Sequence, residues 1–123
     1  MIITIYCNSK HISIRLAELI DETTDGVSFH NAFSYAEAMK CLAEYKADIV
    51  LLDLDFAGNN AAKLLKWIKK YSDETVVMVL FSLASELSMK QFRDYGADYL
   101  FDKYNDFEKI APVIKTIRRK VSL

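Results

Sequence analysis

The chain has 123 residues, 52% apolar and 27% charged, a composition that supports a buried core and excludes a disordered or low-complexity protein. A formal net charge of -1 argues against nucleic acid or an anionic membrane surface as a general partner, and the apolar runs are strand-sized, too short to span a bilayer. Cys7 and Cys41 lack metal-ligand spacing, and Met1 leads straight into Ile2-Ile3-Thr4-Ile5-Tyr6 with no basic leader, so a reducing, cytoplasmic setting is expected.

In chain order, residues 2–7 read as a first buried strand. Ser9 is expected to cap a helix whose apolar positions Ile12, Leu16, Leu19 and Ile20 keep helical spacing. Asp25-Gly26 marks a turn, and residues 27–33 a second strand. Ser34 with Glu37 forms a capping box, followed by a helical face of Ala36, Met39, Leu42 and Ala43. Residues 47–54 hold four consecutive apolar side chains, Ile49 to Leu52. That run is too short for a helix face and lacks the alternation of a half-wet strand, so it predicts a strand buried on both faces.

Asp53 ends that strand, where open α/β sheets keep their chemistry. Gly58 lies in the loop that turns into a third helix, capped by Asn59 or Asn60 and lined inward by Leu64, Leu65, Ile68 and Tyr71. Ser72-Asp73-Glu74 breaks it, and residues 75–81 form a fourth strand. A fourth helix starts near Ser85-Glu86 and runs through Leu87 and Phe92 to Tyr95, with Gly96 as a left-handed cap. Residues 97–101 form a fifth strand. Asn105 with Glu108 is the expected cap of a last helix with face Phe107, Ile110, Val113, Ile114 and Ile117, in which Pro112 is a local conflict. Five strands alternating with five helices demand right-handed crossovers and a doubly wound parallel sheet in one α/β domain.

With Asp53 ending strand three, Gly58 behind it and Tyr95-Gly96-Ala97-Asp98-Tyr99-Leu100-Phe101-Asp102-Lys103 around strand five, the chain resembles a response-regulator receiver domain along essentially its whole length. The resemblance implies a flavodoxin-like (CheY-like) sheet in the order 2-1-3-4-5. It also implies that Asp53 is the phosphoacceptor for a histidine kinase or phosphotransfer protein, and that Lys103 and a hydroxyl at the end of strand four contact the phosphoryl oxygens. Ser82 is assigned to that hydroxyl; an ungapped count back from Lys103 puts Phe81 there instead.

The family's acidic pair after strand one, which helps hold Mg²⁺, falls on Cys7 and Asn8. A neutral thiol and a neutral amide reduce three carboxylates to one, and thiol sulfur is a soft ligand for a hard ion. Lys103 does not replace the metal. One unit charge is worth roughly 4 kcal/mol at ~4 Å and an effective dielectric near 20, and a divalent ion about twice that. Asp55, two residues past Asp53, is a candidate to turn inward and join Asp53 as a metal ligand. Ala57 stands where the family often has Pro, and Leu100 where many receivers carry an aromatic switch residue.

The expected function is therefore that of an atypical, stand-alone receiver, not an enzyme. It would signal through contact with a kinase, phosphotransfer or effector protein on the face of the fourth helix, fifth strand and fifth helix, as a monomer or weak dimer, with Mg²⁺-dependent phosphorylation weakened or lost. One alternative is a working phosphoacceptor with a metal site rebuilt from Asp53, Asp55 and Asn8. A small flavin- or nucleotide-binding domain is another, but residues 8–13 offer no glycine to cradle a phosphate. His11 and His30 read as surface or strand-edge residues, and Lys115, Arg118, Arg119 and Lys120 as complements to the last helix dipole.

Overall fold

The apolar run behind Asp53 organises the molecule. In the computed structural model, which describes residues 1–7, 9–57, 59–82 and 86–121, Ile49, Val50, Leu51 and Leu52 are all fully buried in strand β3 (Ile49–Asp53). Burying each of these side chains is worth about 2 kcal/mol relative to water. The expectations placed on Asn8, Gly58 and Ser85, and on the side chains of Asn59, Arg119 and Lys120, lie outside the described residues.

Strand β1 (Ile2–Tyr6) flanks β3 on one side and β4 (Val76–Phe81) on the other, with β2 (Ser28–Ala32) and β5 (Tyr99–Asp102) at the edges. All four pairings are parallel and the order is β2-β1-β3-β4-β5, as expected for a CheY-like sheet. Alternation along β3 divides the core. Val50 and Leu52 meet helices α2 (Tyr35–Glu44), α4 (Asn59–Tyr71) and α5 (Glu86–Asp94) through Ala38, Leu64, Leu65, Ile68 and Phe92. Ile49 and Leu51 meet α1 (Lys10–Thr23) and α6 (Phe107–Val121) through Leu16, Ile20, Ile110 and Ile114. A one-turn helix, α3 (Leu54–Ala57), stands where the sequence suggested only loop, so the five main helices carry one short addition.

The helix ends follow local chemistry. Ser9 Oγ accepts from the Ile12 amide at 3.2 Å and Ser34 Oγ from the Glu37 amide at 3.1 Å, while the Glu37 carboxylate reaches back to the Phe33 amide at 2.7 Å. Gly96 adopts φ +110 after α5. Its amide donates to the Arg93 carbonyl and that of Ala97 to the Phe92 carbonyl, the two bonds of a Schellman cap. The start of α6 differs from expectation. Asp102 Oδ1 accepts from the Tyr104 and Asn105 amides, and Asp106 takes the Asp102 amide and the Lys109 ammonium, so two aspartates close this turn and Asn105 only donates. Helix α6 runs on through Pro112.

Two expected faces also shift. Tyr71 is 64% exposed at the end of α4, because Trp67 takes the place against the core one turn earlier. In α2 the buried position is Ala38, and Ala36 and Ala43 face solvent. No helix among the described residues is long and apolar enough to cross a membrane.

Candidate functional site: a charged cluster at the carboxyl ends of the strands

Because all five strands are parallel, their carboxyl ends share one rim, and β1 and β3 are adjacent where the winding direction reverses. Asp53, the last residue of β3, is only 3% exposed there. A carboxylate so buried requires partners, and each of its oxygens has them. Lys103 Nζ lies 2.8 Å from Asp53 Oδ1, and the Asp55 amide donates to the same oxygen at 3.0 Å. The Cys7 thiol donates to Oδ2 at 3.3 Å.

Lys103 is carried in by β5, its amide donating to the Phe81 carbonyl at 2.8 Å at the end of β4. Its ammonium also reaches Asp55 Oδ2 at 3.0 Å, so one cation bridges two carboxylates. Burial alone lowers the affinity of Lys103 for its proton, but hydrogen bonds and charge from Asp53 and Asp55 outweigh it, and the group titrates above the ordinary lysine range. For Asp55, burial works to raise the carboxyl pKa. Hydrogen bonds from Ser82, through side chain and backbone, together with Lys103, outweigh that and hold it below its usual range.

Ser82 thus sits in the cluster on Asp55, one residue past the end of β4. Phe81 enters through its carbonyl, on Lys103. Cys7 is buried, and burial, reinforced by the facing Asp53 carboxylate, pushes its thiol up to about 11, so it stands as a proton-bearing donor. Leu100 lies in β5, half-buried against the α2–α4–α5 side of the core, and Tyr99 beside it stacks parallel on Phe101 at 5.8 Å.

The structure brings Cys7, Asp53, Asp55, Ser82 and Lys103 to one place. The Cys7–Asp53 contact is the feature sequence reasoning did not state, although the placing of Cys7 at the end of strand one was its signal. Among the described residues, which do not include Asn8, the cluster does not fit the Mg²⁺ that the resemblance implies. A hard ion wants several oxygen ligands, and here the two carboxylates share a fixed ammonium while the third neighbour is a protonated, soft thiol.

A doubly wound sheet with a buried acid at the end of β3, joined by a lysine from the end of β5, defines a receiver-type switch module. Residues 5–115 match the family model of the response regulator receiver domain, and the chain belongs to that family, the receiver module of two-component signalling. It is 25% identical over 104 residues to the sensory transduction protein LytT of Bacillus subtilis (strain 168), a match covering 85% of this chain and 42% of the relative. The chain therefore spans less than half the length of that curated relative. Among solved structures, the signal receiver domain of a DNA binding response regulator (merR) from Colwellia psychrerythraea 34H superposes with a TM-score of 0.88 at 20% identity, covering 97% of this chain and 98% of the other. A two-component response regulator from Clostridium difficile gives 0.86 at 20% identity, covering 100% and 99%.

Proposed function

We propose that this receiver domain works in an atypical way: it signals by contact with another protein, and Mg²⁺-dependent phosphorylation of Asp53 is weakened or lost. The observation that carries the reading is that both Asp53 oxygens already hold donors. Lys103 and the Asp55 amide occupy one oxygen and the Cys7 thiol the other, with the same ammonium held by Asp55. A nucleophilic carboxylate needs a free oxygen and a cation able to reach the incoming phosphoryl group. Here the cation is already shared between two acids.

In this reading Asp53 is the equivalent of the phosphoacceptor, and Lys103 and Ser82 are the groups that would meet a phosphoryl oxygen. Switching then comes from differential affinity of a partner for two arrangements of the cluster. The partner face is that of α5, β5 and α6, which together with the β5–α6 turn exposes Leu87 (66%), Tyr99 (37%) and Tyr104 (76%). Large exposed apolar and aromatic side chains favour a protein partner, such as a kinase, phosphotransfer protein or downstream effector. The domain itself is not an enzyme in this reading.

The test is intact-mass spectrometry after incubation with phosphoramidate, with and without Mg²⁺, beside Asp53→Asn. No phosphoryl adduct on the folded wild type is the expected result. An adduct that needs Mg²⁺ and vanishes in Asp53→Asn would overturn the reading in favour of a metal site rebuilt on Asp53 and Asp55.

A further inference from the structure

At the opposite rim of the sheet, between the carboxyl ends of α2 and α4, lies a cavity of about 580 Å³. That volume is in the range of small-molecule sites. Its walls carry three carboxylates, Glu44, Asp73 and Glu74, against one ammonium, Lys46. Lys46 is spent on Glu74 in an exposed pair at 3.3 Å, and among the described residues no cation is paired with Glu44 or Asp73. The aromatic side of the cavity is Trp67 and Tyr71, whose rings are tilted by 48° with centroids 5.4 Å apart.

Tyr71 is the residue that helical spacing assigned to the core and that the fold turns outward, 64% exposed. Its ring already takes a cation: Lys70 Nζ lies 5.3 Å from the centroid. Two carboxylates without a paired cation and two aromatic rings lining one cavity of this size are recognition chemistry for positive charge on a carbon framework. The carboxylates supply the attraction, and the ring faces select an alkylated or planar cation over a small hydrated ion.

We infer that this cavity is a binding site for an organic cation, an alkylammonium or guanidinium group, held between Trp67 and Tyr71 on one side and Glu44 and Asp73 on the other. It shares no residue with the Asp53 cluster. The inference therefore stands apart from the question of whether Asp53 is phosphorylated.

Trp67 is the only tryptophan of the chain and lines the site, so its fluorescence reports occupancy directly. The 123-residue chain is titrated at low ionic strength with choline, with argininamide, and with 3,3-dimethyl-1-butanol, the uncharged isostere of choline. A saturable change with choline or argininamide and none with the alcohol is the expected result; which cation saturates identifies the head group. Glu44→Gln combined with Asp73→Asn, both exposed and neutral to folding, weakens binding about tenfold. Tyr71→Leu weakens it about two- to fivefold. The inference is overturned if neither cation saturates, if the alcohol gives the same response, or if the double carboxylate variant binds as tightly as wild type.

Discussion

Replacing Lys103 by Met keeps the apolar stem and deletes the cation that bridges Asp53 and Asp55. The ammonium lies 2.8 Å from Asp53 Oδ1 and 3.0 Å from Asp55 Oδ2, and its side chain and that of Asp53 are 11% and 4% exposed. Removing one partner of a buried pair leaves an uncompensated charge and costs about 3–5 kcal/mol. Lys103→Met leaves two acids facing each other, with only a thiol and a backbone amide on the buried one. The expected loss is therefore about 4 kcal/mol at pH 7. Asp53→Asn removes one of the two like charges and leaves the Lys103–Asp55 pair in place, so it stays within about 1 kcal/mol of wild type. The double variant no longer buries a lone carboxylate and recovers roughly 2 kcal/mol relative to Lys103→Met alone. Urea unfolding followed by far-UV circular dichroism, with m-values compared, measures all four proteins. A Lys103→Met loss under about 1 kcal/mol, or a double variant no more stable than Lys103→Met, would refute the bridging argument.

Stability against pH carries a second signature. Asp55 titrates lower in the folded than in the unfolded chain, so its contribution is present above about pH 4 and fades as pH falls through the folded value. Lys103 titrates higher when folded, so its contribution is present below about pH 10.4 and fades as pH rises through the folded value. Thermal melts across pH should fall off below about pH 4 and again on the alkaline side, where Cys7, whose thiol is raised to about 11, and Lys103 both contribute; Lys103→Met should shrink that alkaline decline without abolishing it, and an unchanged alkaline limb would contradict the assignment. With its thiol near 11 and its side chain buried, Cys7 should resist a disulfide reagent at pH 8 in the native protein while half-buried Cys41 reacts. Counting released chromophore gives one thiol before and two after denaturation, and two fast thiols in the native state would contradict the burial. Gly96→Ala should cost about 2–3 kcal/mol in urea unfolding, from the left-handed backbone and from displacing Lys69. An added Cβ would meet Lys69 Cγ at 2.8 Å, and that side chain is pinned by the Thr75 carbonyl and the Asp98 carboxylate. A loss below 0.5 kcal/mol would mean that the cap yields freely.

Features set by neighbours in the chain were legible from the letters alone. The uninterrupted Ile49–Leu52 run specified a strand buried on both faces, Ser9 and Ser34 specified their helix starts, and Gly26 and Gly96 marked the two positive-φ turns among the described residues. Contacts set across the fold were not. Asp55 turns inward because Lys103 arrives from 48 positions away, and spacing alone could offer this only as a possibility. The start of α6 is governed by Asp102 and Asp106 bonding each other's turn, a pairing that outcompetes the Asn105–Glu108 box. Tyr71 has the right period for the inner face, but the bulk of Trp67 fills that place first.

The order of the sheet also sets a timetable for synthesis. β1 finds its first neighbour in β2, with Ile2 opposite Ser28, but its other edge pairs with β3, where Ile3 meets Ile49. At translation rates of roughly 5–20 residues per second, the 46 positions between those isoleucines correspond to about 2–9 s in which one side of β1 has no strand to pair with. An apolar strand with an open edge is the form of a chain most prone to joining another chain. A nascent chain that has emerged from the ribosome only as far as residues 33 to 48 holds β1 and β2 without the strand that closes them, so a pause at that stage of emergence leaves an apolar edge open.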